Sequence, residues 1–79
     1  MTFIHTPEQL GQALRSARKQ LALTQPQLAL AAGVGVRFVV ELEAGKPTVR
    51  LVQVLRVIDA LGGTLQLTCL PGAEEQPGA

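Results

Sequence analysis

Few side chains in this 79-residue chain are equipped for chemistry. There is one histidine, His5, and one cysteine, Cys69, with six acids scattered along the sequence. No base stands at a spacing that would activate a nucleophile, so an enzyme has no support here. One Cys and one His cannot assemble a metal cluster, and a lone Cys cannot close an internal disulfide. No cofactor is expected. This cysteine usage fits a reducing cytoplasm. What remains is charge. All seven basic residues, Arg15, Arg18, Lys19, Arg37, Lys46, Arg50 and Arg56, fall between positions 15 and 56, whereas Glu74 and Glu75 sit in the last six residues. Residues 1–70 hold seven positive and four negative charges, a net +3 against +1 for the whole chain. A mildly basic body with an acidic end fits weak attraction to a polyanion, and equally an ordinary solvated surface.

The elements that must position these charges are mostly helical. Thr6, Pro7 and Gln9 start a first helix with a capping box, and it is expected to end near Gln20. Leu10, Leu14, Ala17 and Leu21 form its apolar stripe. Arg15, Arg18 and Lys19 cluster towards its end, where the macrodipole favours cations. Thr24-Gln25-Pro26-Gln27 opens a second helix by another capping box. It ends at Ala32, with Gly33 turning the chain, and Leu28, Ala29 and Ala32 are buried. A third helix runs from Val36 to Ala44 with Gly35 as N-cap, Val39 and Leu42 inward, and Gly45 and Pro47 ending it. Thr48 is expected to cap a fourth helix, Val49 to Leu61. Leu51, Val52, Leu55, Ile58 and Leu61 make its apolar face, and Val54 and Val57 widen that face. Thr64–Leu70 alternates with period 2 and reads as the one strand of the chain. Its partner is either Thr2-Phe3-Ile4 or the same strand of a second chain. Pro71–Ala79 reads as a flexible tail.

Hydrophobic residues make up 47% of the chain, which excludes a wholly disordered protein. No apolar run approaches the roughly 20 residues that span a bilayer, and Met1–Thr6 lacks the pattern of a secretory signal. A single core of this size supplies only about 3–5 kcal/mol, so self-association is expected.

Thr24 to Lys46 is two short helices joined through a glycine turn, with Ala29 small where they cross: a helix-turn-helix. Such a unit offers the start of its second helix to a DNA major groove. The segment resembles the Cro/repressor-type (XRE) helix-turn-helix family. Leu23, Thr24, Gln25, Leu28, Ala29, Ala32, Gly33, Val34, Val39, Leu42, Glu43, Gly45 and Lys46 fall on that family's pattern. The run Val36–Thr48, with Leu61-Gly62 and the strand behind it, is similar more narrowly to the HipB-like antitoxin branch. The resemblance covers about Leu10 to Leu70.

This resemblance implies a mainly α, lambda-repressor-like bundle of four helices plus a C-terminal β-strand pairing in a homodimer. Residues 1–70 would form the DNA-binding domain, with 64–70 the dimerisation strand, through Leu65, Leu67 and Cys69, and 71–79 the tail. It further implies a phosphate contact for Gln25 and for Lys46, and a base-facing surface of Gly35, Val36, Arg37 and Glu41. Gly35 and Val36 stand where polar residues are common, leaving Arg37 as the main candidate for a bidentate guanine contact. Glu41 is able to accept from a cytosine amino group or to pair with a nearby cation, and Val36 and Val40 to touch a thymine methyl. Arg50 and Arg56 read as surface charges, with Arg50 also placed to meet a phosphate. Glu43 reads as structural and Phe38 as packing against the second helix or a dimer mate. Family members often carry glycine where this chain has Ala22; a positive φ there would cost about 1 kcal/mol.

The resulting expectation is a sequence-specific autorepressor on a palindromic operator, the antitoxin partner of a HipA-like kinase-fold toxin, cytoplasmic and nucleoid-associated, with no membrane role. The alternatives are a module that mainly holds a partner protein, and a general transcriptional regulator without a toxin.

Overall fold

Thr6 holds extended backbone, and its side-chain oxygen accepts from Gln9 N–H at 3.1 Å. With Pro7 in the first turn this starts α1, Pro7–Gln20. We describe residues 3–72 of the chain from a computed structural model. The reciprocal half of the first capping box differs from expectation: the Gln9 side chain accepts from His5 N–H, one residue before the cap. At α2, Gln25–Ala32, the box is complete, with Thr24 Oγ1 and Gln27 Oε1 each accepting the other residue's backbone N–H. Gly33 ends α2 in the left-handed conformation. Then α3, Val36–Glu43, starts from Gly35 with no side-chain cap. The last helix, α4, is Leu51–Ala60.

The core joins Leu14 of α1, Leu28, Ala29 and Ala32 of α2, Val39 and Leu42 of α3, and Val54, Val57 and Ile58 of α4. α2 packs on both α3 and α4, and α1 lies against α3. The α1–α3 approach depends on Gly11. A Cβ there would lie 2.5 Å from the Leu42 carbonyl oxygen and 2.7 Å from that of Glu43, so any larger residue would push the helices apart. Gly45, at φ 89°, turns the chain beneath the start of α1, where a Cβ would come within 2.9 Å of Glu8 Cγ.

Four expectations need correction. On α1 the stripe holds at Leu10, Leu14 and Ala17 but not at Leu21, which is exposed, and Gly11 and Arg18 are buried beside Leu14. Arg50, not Thr48, is the N-cap of α4, which begins two residues later than expected. Val49 is instead spent on the core, where it packs half-buried. On α4 the expected face holds at Ile58 and Leu61, which are in or against the core, and fails at its other three positions. Val54, Val57 and Ile58 are the buried residues, and Leu51 (65% exposed), Val52 and Leu55 face solvent.

The fourth correction concerns Thr64–Leu70, which forms no strand; among the described residues no strand occurs. Phe3 and Ile4 line the same groove as Thr64–Thr68, against α1 and the end of α4, yet no backbone hydrogen bond joins the two segments. Leu65, Leu67 and Leu70 are exposed. Cys69 has φ 64°, a left-handed geometry that interrupts any regular strand at that point, and its thiol is free and exposed. The tail expected at 71–79 lies outside the described residues beyond Gly72, as does Thr2. No described helix is long and apolar enough to cross a membrane.

Candidate nucleic-acid interface

The helix-turn-helix is held from behind by a buried cluster. Arg18 Nε donates to Glu43 Oε2 at 2.6 Å and Nη2 to Glu43 Oε1 at 3.0 Å. Its remaining terminal nitrogen donates to the Leu23 carbonyl at 2.8 Å. Gln25 Nε2 adds a bond to Glu43 Oε1 at 3.1 Å. One guanidinium thus ties the end of α1, the entry to α2 and the end of α3. The Glu43 carboxylate raises the Arg18 pKa further above its ordinary value by hydrogen bonding and charge, against the opposing effect of burial. Every buried side-chain polar atom among the described residues has a partner.

This arrangement bears out Glu43 as a structural residue. It also gives Gln25 a job within the fold: one amide N–H is committed to Glu43, and the second is left for other contacts. Arg18 was expected only as a macrodipole charge. The signal for its true role is register, since it lies on the buried stripe Gly11, Leu14, Arg18, where an unpaired cation would be costly.

The opposite side of α3 is open. Val39, Leu42 and Glu43 are buried, while Val36 and Val40, each 43% exposed, share the outer side. The Arg37 side chain is 91% exposed. Gly35 at the helix start is exposed and has no atom near the place a Cβ would occupy. On this surface Glu41 joins two cations. Arg37 Nε meets Glu41 Oε2 at 3.3 Å, and Lys46 Nζ meets Glu41 Oε1 at 3.3 Å. Lys46 foremost, and Arg37 after it, hold the Glu41 carboxyl below its ordinary pKa. Arg50 is exposed at the start of α4 with no side-chain capping bond. The structure therefore gathers Arg37, Glu41 and Lys46 into one charged group beside Val36 and Val40. Gln25 is half-buried beside Glu43, and Leu65, Leu67 and Cys69 lie on the separate C-terminal segment.

A short helix seated by its inner face, with its N-terminal turn and outer face open, is the arrangement of a DNA-binding transcriptional regulator. The chain belongs to the helix-turn-helix domain family, whose model matches residues 9–68. It is 47% identical over 64 residues to the uncharacterized HTH-type transcriptional regulator y4mF of Sinorhizobium fredii, covering 81% of this chain and 84% of that one. Among solved structures it is similar to the HipB-O4 20mer complex, with TM-score 0.81 and 22% identity over 90% of this chain and 100% of the other. The HipA-HipB-O2-O3 complex matches with the same score, identity and coverage. A chain described as MDT Protein follows at TM-score 0.79 and 24% identity, again over 90% and 100%. At these identities the likeness is one of fold: four helices arranged as in HipB.

Proposed function

We propose that this chain is a sequence-specific autorepressor that serves as the antitoxin of a HipBA-like pair and binds a palindromic operator as a homodimer. The observation that carries the reading is the open outer face of α3, with Arg37 extended beside Val36 and Val40 on a helix locked from behind by Arg18 and Glu43. The fold match to the HipB-O4 20mer complex and to the HipA-HipB-O2-O3 complex supports it. In this reading Arg37 reads a guanine, Val36 and Val40 touch thymine methyls, and Gly35 lets the backbone approach. Gln25, Lys46 and Arg50 meet phosphates. Glu41 belongs to the same surface. Residues 1–70 are the working unit, in a cytoplasmic, nucleoid-associated protein, and 71–79 is a tail. The two subunits pair through Leu65, Leu67 and Cys69, and the operator half-sites lie one helical turn apart, about 34–36 Å.

The test is a shift assay with promoter DNA from the protein's own operon against random duplex of equal length. Preference for the promoter DNA is expected, and equal affinity at low salt overturns the reading. A second reading, a module that mainly holds a partner protein, is favoured by the exposed Leu51, Val52, Leu65 and Leu67. Co-purification of the neighbouring gene product in the absence of any promoter preference would select it.

A further inference from the structure

We infer that Glu41 is a specificity-determining residue that acts by restraining Arg37 and Lys46, keeping both cations from indiscriminate phosphate binding, rather than by reading a base itself. The inference rests on the DNA-binding reading above and gives one of its surface residues a definite role.

The geometry carries it. Glu41 is the only acid on the outer surface of α3, and each of its two carboxylate oxygens faces a cation at 3.3 Å. Arg37 approaches from one turn earlier on the same helix, and Lys46 approaches from the turn after it. A cytosine amino group would have to displace one of them to reach an oxygen, so base reading by Glu41 competes with two ion pairs. The Glu41 side chain is 30% exposed against 91% for Arg37, so the acid is partly enclosed by its neighbours while the arginine stands in solvent.

The chemistry of the target completes the argument. Any duplex, of any sequence, offers phosphates to a free cation, and each phosphate neutralised adds to sequence-independent affinity. A carboxylate between two cations lowers that contribution and repels the phosphate directly. At a preferred sequence the loss is smaller, because Glu41 engages Arg37 through Nε alone, and the two terminal nitrogens remain for the O6 and N7 acceptors of a guanine with the pair intact. Glu41 thus costs affinity everywhere and less at the right site, and that difference is specificity.

The test uses the full chain, wild type and Glu41→Gln, with two probes: a duplex enriched by the wild-type protein from a random pool, and a scrambled duplex of the same composition. For Glu41→Gln we expect the scrambled duplex to bind several-fold tighter and the preference ratio to fall. The salt dependence on the scrambled duplex should steepen by about 0.9 in log–log slope for each cation released. An unchanged ratio and slope overturn the role. Loss of affinity for the enriched duplex alone, confined to one base pair, also overturns it and assigns Glu41 to base reading. Failure to enrich any duplex overturns the DNA-binding reading as a whole. A DNA-free measurement separates the ion pairs from both. The Glu41 carboxyl, followed by NMR, should titrate below the ordinary glutamate range in the wild type, so the pairs persist above that range and dissolve as pH falls through the lowered value. Its pKa should return upward in Lys46→Ala and, by less, in Arg37→Ala. A carboxyl that titrates alike in all three overturns the restraint.

Discussion

Arg18 and Glu43 lie 25 residues apart in sequence and meet in a two-pronged pair, with N···O distances of 2.6 and 3.0 Å. The pair closes over the α1–α3 crossing, and neither side chain is more than 10% exposed. A buried pair of this kind adds modest net stability, because desolvation offsets most of the attraction, but removing one partner strands a charge.

Glu43→Ala should therefore cost about 3–5 kcal/mol, comparable to the whole stability of a domain this small. Circular dichroism should show a largely unfolded chain at room temperature. The double replacement Arg18→Met, Glu43→Leu should retain more helix than either single change. Arg18→Lys should behave nearly as badly as removal, since one ammonium cannot serve Glu43 and the Leu23 carbonyl in fork geometry.

Gly11→Ala places a methyl 2.5 Å from a backbone oxygen that cannot move without moving α3. A loss of about 1–3 kcal/mol is expected, despite alanine's better helix propensity. Urea unfolding would check it, and a stabilised variant would show that the crossing has more room than described.

Ala22 sits at φ 58° between α1 and α2. Ala22→Gly should stabilise by up to about 1 kcal/mol, the relief of left-handed strain less the extra entropy of glycine in the unfolded chain. The melting temperature should rise by a few degrees.

Arg37→Ala should leave the fold intact, since the side chain is almost wholly exposed. On the proposed reading it relaxes discrimination at one base pair by about 1–3 kcal/mol. A binding series over single-substituted duplexes reads this directly, and an unaltered preference would remove Arg37 from the base-reading set.

On the proposed reading, deletion of residues 64–70 should convert the homodimer to an unstable monomer. Sedimentation measures it, and an intact dimer after deletion would move the interface elsewhere, with Leu51, Val52 and Leu55 the next surface to examine.

Local signals made much of this legible from sequence. Thr24 and Gln27 cap each other across three residues, Gly33 stops the helix they start, and Ala22 stands where a left-handed residue is required; each depends on near neighbours. The α4 face was not legible, because the helix is almost wholly apolar. Leu51, Leu55 and Ile58 make as good a 3.6-period stripe as Val54, Val57 and Ile58, and only packing against α2 chooses. The same holds for Thr48, a good cap whose helix does not start there because Val49 is drawn into the core. In the site, Glu43 was legible as structural, but its partner Arg18 was not, since nothing local links residues 25 apart. The alternation of Thr64–Leu70 is a real pattern, but a ladder needs a second strand, and within this chain Cys69 leaves the extended region.

Val36 and Val40 present methyl groups on the open outer face of α3. In a major groove such groups sense the methyl at C5 of a pyrimidine, which is the same object on thymine and on methylated cytosine. On the proposed reading, then, the chemical marking of cytosines would widen the set of duplexes this helix accepts. The protein's addresses on a chromosome would depend on the methylation state of the DNA as well as on its sequence.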